Sequence, residues 1–364
     1  MDTSDPQIKF DENGVCNHCH QYDFLLSQVP ADKEAALHHM LSTVKKEGKG
    51  KRYDCILGLS GGVDSSYVAH LASQWGLRPL AVHFDSGWNS NLAVTNIERI
   101  VKSLNLDLFT FVCNWEEMKD LQLAFFRSSV ANQDIPQDHG FYSALYKVAS
   151  EQGVHYILSG SNFATEGILP TSWGYDAKDS RHIEGVYRLF GKGKLKDYPR
   201  RGFWRAYVLD AYFGRIRMIK PLNVVHYNKA EAMKVIQDKL GWQYYGGKHY
   251  ESVFTRFFQG FYLPKKFGFD KRLAHYSSLV VSGQMTRVEA LNAIQHSTYS
   301  RDLIKEDLEF VAKKLGASVL EFKKIINQPP RSYQDFPNLE SVISRLRKVK
   351  NFLNRLNLLT RKVR

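Results

Sequence analysis

A loop with two adjacent glycines joins an apolar segment to a helical one near residue 60. This junction constrains the fold more than any other part of the chain. The run Asp54–Leu59 has the length and apolar character of a buried strand, and Ser60–Ser66 follows it directly. Adjacent glycines let a backbone turn tightly and approach a ligand closely. The N–H groups of such a turn, together with a helix N-terminus, can bind phosphate. The junction therefore predicts an anion-binding loop at the end of a sheet strand.

Strand and helix patterns alternate from residue 54 to residue 219. Further apolar runs predict strands at 80–85, 106–113, 154–158 and 216–219, and helical spacing appears at 68–75, 92–104, 115–130 and 139–152. Strands separated by helices are typical of parallel βαβ units. We therefore predict an α/β fold with a doubly wound, mostly parallel sheet. Beyond residue 221 the sequence predicts mainly helices, with capping boxes at Asn228–Glu231 and Thr286–Glu289.

These patterns divide the chain into four segments. They are a Cys-x-x-Cys segment with a helix (1–48), the α/β domain with the glycine loop (49–225), a helical C-terminal region (226–337) and a basic amphipathic tail (338–364). Pro329–Pro330 and Pro337 predict a linker before the tail. From residue 340 onward there are eight Lys and Arg residues and one Glu. We interpret the tail as a solvated or partner-docking helix, with weak contact to acidic lipid as the alternative.

The composition excludes several classes of protein. With 43% hydrophobic and 24% charged residues, the 364-residue chain can bury a core and is not a disordered protein. Four cysteines in this length do not make a disulfide framework. No apolar run is long enough to span a bilayer, and the first residues do not resemble a signal peptide. We therefore expect a cytoplasmic protein, and its net charge of +13 favours an anionic partner.

The loop residues have individual expected roles. Those that supply backbone N–H groups or hydroxyls to phosphate are Ser60, Gly61, Gly62, Val63, Ser65 and Ser66. Asp64 supplies a carboxylate that a Mg²⁺ ion can bridge to the phosphates. The loop lacks the Gly-Lys-Ser/Thr of a Walker A motif. It resembles instead the PP-loop of the ATP pyrophosphatase superfamily, which implies ATP as cofactor and cleavage between the α and β phosphates.

Other strand ends extend this predicted site. The second strand ends at Asp85, where nucleotide-binding folds often contact adenine or ribose, and Gly160 lies in the turn after the fourth strand. The superfamily resemblance places a basic residue before Pro-Leu after the last strand, which is Lys220 here. We interpret Lys220 as stabilising charge on the α-phosphate or the leaving group. The alternative at each position is an ordinary turn.

Longer motifs carry a closer resemblance. They are Met1–Pro6, Phe10–Cys19, Glu166–Pro170, Trp173–His182 and Tyr245–His249. These segments resemble the N-acetyl sugar amidotransferase family of WbpG/PseA-like proteins, over about residues 1–337. The resemblance implies adenylation of an acetamido oxygen on an acidic, nucleotide-linked or free sugar, followed by displacement with ammonia. The product would be an acetamidino sugar for lipopolysaccharide O-antigen or another surface glycan.

A polar and aromatic loop after the fourth strand is the predicted sugar site. Its candidate residues are Trp173, Tyr175, Asp176, Arg181 and His182. Aromatic faces can stack on a sugar while charged groups bind its hydroxyls, carboxylate or phosphate. The alternative is an exposed loop. Weaker candidates for anion binding are the basic and aromatic residues of 200–217 and the turn Gly246–His249, with plain surface as the alternative.

The source of ammonia and the cysteine pair require separate predictions. Residue 2 is Asp rather than a nucleophilic Cys, and Cys55 and Cys113 lie in apolar strands, so we see no glutaminase. The resemblance implies a separate glutaminase and ammonia-channelling subunit like those of imidazole glycerol phosphate synthase. Cys16 and Cys19 form half of a zinc knuckle. Because structural zinc needs four ligands, a free thiol pair is the alternative to a partial Zn²⁺ site.

Two other functions fit parts of the sequence. A PP-loop tRNA-modifying enzyme would use the same adenylation on a nucleobase, and the net charge favours it. However, the chain has no recognisable RNA-binding module and no catalytic Cys pair near the sheet edge. A non-catalytic scaffold would retain the loop and serve partners through its tail. We expect the sugar amidotransferase, without a nucleic-acid partner.

Overall fold

The fold is built on a parallel five-stranded sheet in the order β3-β2-β1-β4-β5. The computed structural model describes residues 1–207, 216–247, 250–296 and 299–345. Its strands are β1 (Cys55–Gly58), β2 (Pro79–Asp85), β3 (Asp107–Val112), β4 (Tyr156–Leu158) and β5 (Arg217–Ile219). The chain runs outward from β1 to β3 and then returns to place β4 on the other side of β1. This order confirms the predicted doubly wound α/β class.

Helices cover both faces of the sheet. Among the described residues, the helices with defined bounds before β5 are α1 (Asn17–Ser27), α2 (Lys33–Gly48), α3 (Val63–Gln74), α4 (Asn91–Ser103), α5 (Trp115–Ser128), α6 (Ile135–Glu151), α7 (Phe163–Glu166) and α8 (Ser180–Phe190). Leu57 of β1 packs in one core with Val68 of α3, whereas its neighbour Ile56 packs in another with Leu145 of α6. Alternating burial on two faces is what a central parallel strand requires.

The C-terminal region is helical, as predicted. Its helices are α9 (Lys229–Leu240), α10 (Val253–Phe257), α11 (Leu263–Phe267), α12 (Lys271–Val281), α13 (Arg287–Gln295), α14 (Arg301–Lys314) and α15 (Val319–Ile326), with a π-helical turn at Phe258–Tyr262 joining α10 to α11. Thr286 and Glu289 form a reciprocal capping box at α13. Asn228 caps α9 by accepting from two backbone N–H groups. No helix among the described residues is long and apolar enough to cross a membrane.

A buried ion pair ties α10 to α14. Arg256 donates from Nε and Nη2 to the two carboxylate oxygens of Asp307, each at 2.7 Å. The Tyr299 hydroxyl donates to the same carboxylate at 2.6 Å. Only 6% of the Asp307 side chain is exposed. The three groups therefore form one closed polar network beside an aromatic core.

The proline-rich segment before the tail packs against the α/β domain and is not a detached linker. Arg331 N–H donates to the Ser129 carbonyl at 3.0 Å, and Phe336 is buried. Leu339 N–H donates to Asp179 at 2.7 Å. The prediction of a free linker was wrong because the sequence pattern does not reveal these distant partners. Residues 346–364 of the predicted basic tail lie outside the described residues.

Candidate active site

The glycine loop lies where the strand order reverses. It follows β1, and the turn Ser159–Asn162 follows the neighbouring β4. In open α/β sheets, ligands bind at this reversal, outside the carboxyl ends of the strands. A cavity of about 790 Å³ opens there. Its wall includes both turns, so two segments distant in sequence meet at one site.

The loop conformation presents a helix end to the cavity. Gly61 has φ +81°, and a Cβ atom there would lie 2.9 Å from the Ala93 carbonyl oxygen. Gly62 begins α3 without any side-chain cap. The uncapped first turn of α3 therefore directs its positive dipole end at the cavity. Ser65 lines the cavity, whereas Ser66 is buried and donates to the Gly62 carbonyl at 2.6 Å.

Some of the predicted phosphate-binding residues line the cavity, and the others fix the conformation of the loop. The loop residues that line the cavity are Ser60, Gly62, Val63, Asp64 and Ser65. Gly61 and Ser66 lie outside that lining and shape the turn. The Ser60 and Ser65 hydroxyl oxygens are 3.1 Å apart, which holds the two ends of the loop together.

Three residues that come after β5 in the chain lie next to this loop, and the sequence-based predictions did not assign them a role there. Trp242 Nε1 donates to the Gly61 carbonyl at 2.9 Å. The Tyr227 hydroxyl donates to Asp64. Burial, and then the nearby Asp64 charge, raise the pKa of Tyr227, so the phenol stays protonated and remains a donor. Tyr245 lines the cavity beside the loop. Only Tyr245 stood in a recognisable motif.

Gly160 allows the two turns to touch. A Cβ atom at Gly160 would lie 2.7 Å from Ser65 N and 2.8 Å from the Asp64 carbonyl carbon. Gly160 also lines the cavity. Its position agrees with a role in nucleotide binding, because the absence of a side chain lets this turn pack against the backbone of Asp64 and Ser65.

Gly160→Ala is expected to weaken ATP binding by roughly tenfold, because overpacking of this kind costs about 1–3 kcal/mol. The new methyl group must displace the first turn of α3. Isothermal titration with ATP and Mg²⁺ measures the change. Gly202→Ala is the matched control, since no atom lies within 4 Å of its added Cβ. Equal affinities for the two variants would contradict this role for Gly160.

Asp64 fits a nucleotide-borne Mg²⁺ ion. It lies in the first turn of α3 and lines the cavity. Among the described residues, no group of three or more His, Cys, Asp and Glu could hold a metal by itself. Mg²⁺ at phosphate sites is usually held by one or two carboxylates together with phosphates and water. Asp64 next to the loop is the donor that this arrangement needs.

The segment after β2 is ordered by internal hydrogen bonds. Asp85 accepts from Gly87 N–H at 2.8 Å and from Asn89 Nδ2 at 3.1 Å. His83 donates from Nδ1 to the Leu59 carbonyl, so its Nε2 accepts from Asn89. Burial lowers the pKa of His83, which agrees with a neutral ring. The cavity wall contains His83 and Asn89 but not Asp85, so Asp85 shapes this edge of the site.

The structure does not place Lys220 at the cavity. Lys220 is exposed and immediately precedes a short 3-10 turn that begins at Pro221. It follows β5, which is an edge strand of the sheet and is separated from the loop by β4. The lysines in the described cavity wall are Lys229 and Lys271, at the starts of α9 and α12. These two lysines bring positive charge to the cavity wall.

Two of the five predicted sugar-binding residues, Trp173 and His182, are buried in the protein interior. Trp173 is fully buried, with its ring centroid 5.1 Å from that of Phe269. His182 is also buried, 4.5 Å from the Tyr333 ring. These two assignments were wrong as direct contacts, because distant aromatic residues cover both rings.

Of the remaining three predicted sugar-binding residues, one lines the cavity and two do not. Tyr175 lines the cavity, and its hydroxyl accepts from Asn132 N–H at 3.1 Å. Asp176 accepts from the Tyr207 hydroxyl at 2.9 Å, and Arg181 is exposed; neither lines the cavity. The weaker candidates Lys248 and His249 lie outside the described residues.

The far wall of the cavity is acidic and comes partly from the C-terminal helices. Asp134 and Asp138 lie at the start of α6 and Glu166 at the end of α7, and all three line the cavity. Beside them, the wall includes Thr255, Lys271 and other residues that follow the sheet. The Thr255 hydroxyl donates to Asp134 at 3.1 Å. The cavity is therefore built from both the α/β domain and the C-terminal region.

The cysteine pair lacks a complete zinc ligand set among the described residues. The Sγ atoms of Cys16 and Cys19 are 3.5 Å apart. His18 Nε2 lies 2.7 Å from Asp5. No third ligand joins the thiols in the part of the chain that the structure describes. The described residues therefore do not support the partial zinc site.

Comparison with known proteins identifies the C-terminal region. Residues 251–350 match the family model described as LPS biosynthesis protein WbpG-like, C-terminal domain. The resemblance to WbpG-like proteins is therefore confirmed over this region. No curated protein matches the chain.

Solved structures give weaker likenesses. NMN synthetase from Francisella tularensis is 15% identical, with a TM-score of 0.40, covering 73% of this chain and 92% of that one. NH3-dependent NAD synthetase from Campylobacter jejuni is 13% identical, with a TM-score of 0.33, covering 76% of this chain and 96% of that one.

Proposed function

We propose that this protein is an ATP-dependent N-acetyl sugar amidotransferase of the cytoplasm. It adenylates the acetamido oxygen of an acidic, nucleotide-linked sugar and replaces that oxygen with ammonia. The acetamidino product serves lipopolysaccharide O-antigen or surface-glycan biosynthesis. The supporting observation is that the phosphate loop shares one cavity with a region matching WbpG-like proteins.

The shape of the cavity suits this chemistry. An amide carbonyl is a poor electrophile, and its oxygen is a poor leaving group until it is linked to AMP. The loop and the N-terminus of α3 bind phosphate at one end, and the C-terminal helices enclose the other. Holding the amide beside the α-phosphate makes the reaction effectively unimolecular, and enclosure limits hydrolysis of the intermediate. A Mg²⁺ ion bound with ATP would neutralise phosphate charge beside Asp64.

The charge of the cavity suits the proposed product. The carboxylates in the described lining are Asp64, Asp134, Asp138, Glu166 and Glu251. Lys229 and Lys271 are the lysines of that lining and would pair with the acidic group of a sugar. An excess of carboxylates stabilises a cationic amidine product. The tRNA-modifying alternative is distinguished by the assay of pyrophosphate release described below.

We further propose that ammonia comes from a separate glutaminase and ammonia-channelling subunit. The two strand-associated cysteines support this view, because both are buried. Burial, with a smaller contribution from Asp54, raises the pKa of Cys55. Burial, with a smaller contribution from Glu117, raises the pKa of Cys113 to about 12. Neither thiol would be an effective nucleophile at neutral pH.

Pyrophosphate release tests the function directly. We expect the purified chain to form AMP and pyrophosphate with a nucleotide-linked acetamido sugar acid, ATP, Mg²⁺ and ammonium chloride. Glutamine alone should not replace ammonium. Pyrophosphate release that requires tRNA would support the tRNA-modifying alternative. If neither the sugar nor tRNA leads to release, the result would support a scaffold. Turnover with glutamine alone would contradict the separate glutaminase.

A further inference from the structure

Asp138 is placed where a proton acceptor could reach a substrate in the cavity. It lies in the first turn of α6, one turn after Asp134, and water can reach it from inside the cavity. The cavity wall continues from Asp138 to the phosphate loop. A substrate adenylated at the loop therefore shares one cavity with this carboxyl group.

The two carboxyl groups of α6 differ in their surroundings. Asp134 Oδ1 accepts hydrogen bonds from Gln137 at 3.0 Å and Thr255 at 3.1 Å, which stabilise its ionised form. Asp138 is exposed to water in the cavity wall. Desolvation by the surrounding protein, followed by the Asp134 charge, raises the pKa of Asp138 to about 7, with Lys271 opposing the shift and Glu166 adding to it.

Other groups around Asp138 complete this electrostatic setting. Lys271 approaches from α12, Glu166 from α7, and the Tyr198 phenol from the segment after α8. His275 lies one turn after Lys271 in the same wall. Burial, and then nearby charges that include Asp138, raise the pKa of Tyr198, so that phenol is neutral. Asp138 thus lines the cavity among two further carboxyl groups, a lysine and a phenol.

We propose that Asp138 is the general base of the amidation step, which rests on the proposed function. Attack by ammonia forms a carbon–nitrogen bond at the adenylated amide carbon and leaves that nitrogen positively charged. Asp138 takes one proton from it. The carbon–oxygen bond then breaks, AMP leaves with the electron pair, and an amidinium group remains. The steps balance with one amide, one ATP and one ammonia giving one amidinium, AMP, pyrophosphate and one proton, which Asp138 releases to water before the next turnover.

The proton transfer determines whether the tetrahedral intermediate loses ammonia or AMP. Without a base, the protonated nitrogen can leave as ammonia and return the adenylate. Removal of the proton prevents this reversal and makes AMP the leaving group. General bases of this kind contribute about 10²- to 10⁴-fold to rates. Once protonated, Asp138 no longer adds negative charge beside the amidinium, and Asp134 and Glu166 remain to stabilise it.

Asp138→Asn separates the two half-reactions. Sugar-dependent exchange of labelled pyrophosphate into ATP measures adenylation and should change by less than about threefold. Ammonium-dependent amidine formation at pH 7 should fall by about 100-fold or more. At a fixed concentration of free ammonia, the wild-type rate should rise through pH about 7, because ionised Asp138 is the active form. The variant should show no such rise.

Glu151→Gln is the matched control, since Glu151 is an exposed carboxylate at the far end of the same helix. An equal loss of exchange and amidination in Asp138→Asn would overturn the assignment and indicate a structural role. A retained inflection near pH 7 in the variant would also overturn it. Absence of sugar-dependent exchange in the wild-type protein would instead reject the proposed function.

Discussion

Asp64→Asn is expected to lower ATP-dependent pyrophosphate release by roughly 100- to 1,000-fold, the range for a preorganised electrostatic group. The amide keeps the size of the side chain and can still accept from Tyr227. It loses the negative charge that Mg²⁺ requires beside the phosphates. The effect should therefore appear as a higher half-saturating Mg²⁺ concentration as well as a lower maximal rate.

Asp238→Asn provides the comparison, because Asp238 is exposed on α9 away from the cavity lining. Its rate and Mg²⁺ dependence should match those of the wild-type protein. Thermal unfolding of both variants shows whether the fold is intact. Near wild-type release by Asp64→Asn would mean that this carboxylate has no part in phosphate or metal binding.

Asp307→Ala is expected to destabilise the C-terminal helices by about 3–5 kcal/mol, the cost of leaving one partner of a buried ion pair uncompensated. Arg256 would lose both of its 2.7 Å hydrogen bonds, and Tyr299 its 2.6 Å one. Because α10 also carries Thr255 of the cavity wall, substrate binding should weaken together with stability. Urea unfolding followed by circular dichroism measures the first effect.

Two further variants test whether the buried ion pair causes this loss of stability. Glu306→Ala removes an exposed carboxylate from the adjacent position of α14 and should change stability by less than about 0.5 kcal/mol. The double variant Arg256→Met, Asp307→Leu replaces the pair with apolar groups and should recover part of the loss. A loss below about 1 kcal/mol in Asp307→Ala would show that the network contributes little.

The parts that the sequence predicted depend on local physics. Strand positions follow from apolar runs, and β1, β2 and β3 each lie within one residue of the predicted bounds. Gly61 was recognisable because the turn after β1 needs a positive φ angle. Such features are encoded by residues that lie next to one another in the chain.

The parts that were missed depend on distant packing. The Trp173 motif suggested sugar stacking, but the ring that covers it belongs to Phe269, and Tyr333 covers His182. Lys220 has a suggestive position in the sequence, yet it is exposed and does not line the cavity, although Met218 of β5 does. Conversely, Asp138 stood in no motif, since its significance arises from Asp134, Glu166 and Lys271, which the fold brings around it.

The residues that contact the phosphate loop are synthesised after the sheet. All five strands have been synthesised by residue 219, and β1 pairs with β4 once Ile157 can meet Ile56. The loop, however, gains its supports only when Tyr227 and Trp242 follow. On the ribosome, we infer, a complete sheet precedes a competent nucleotide site. The phosphate loop therefore depends for this support on residues that follow the whole sheet in the chain.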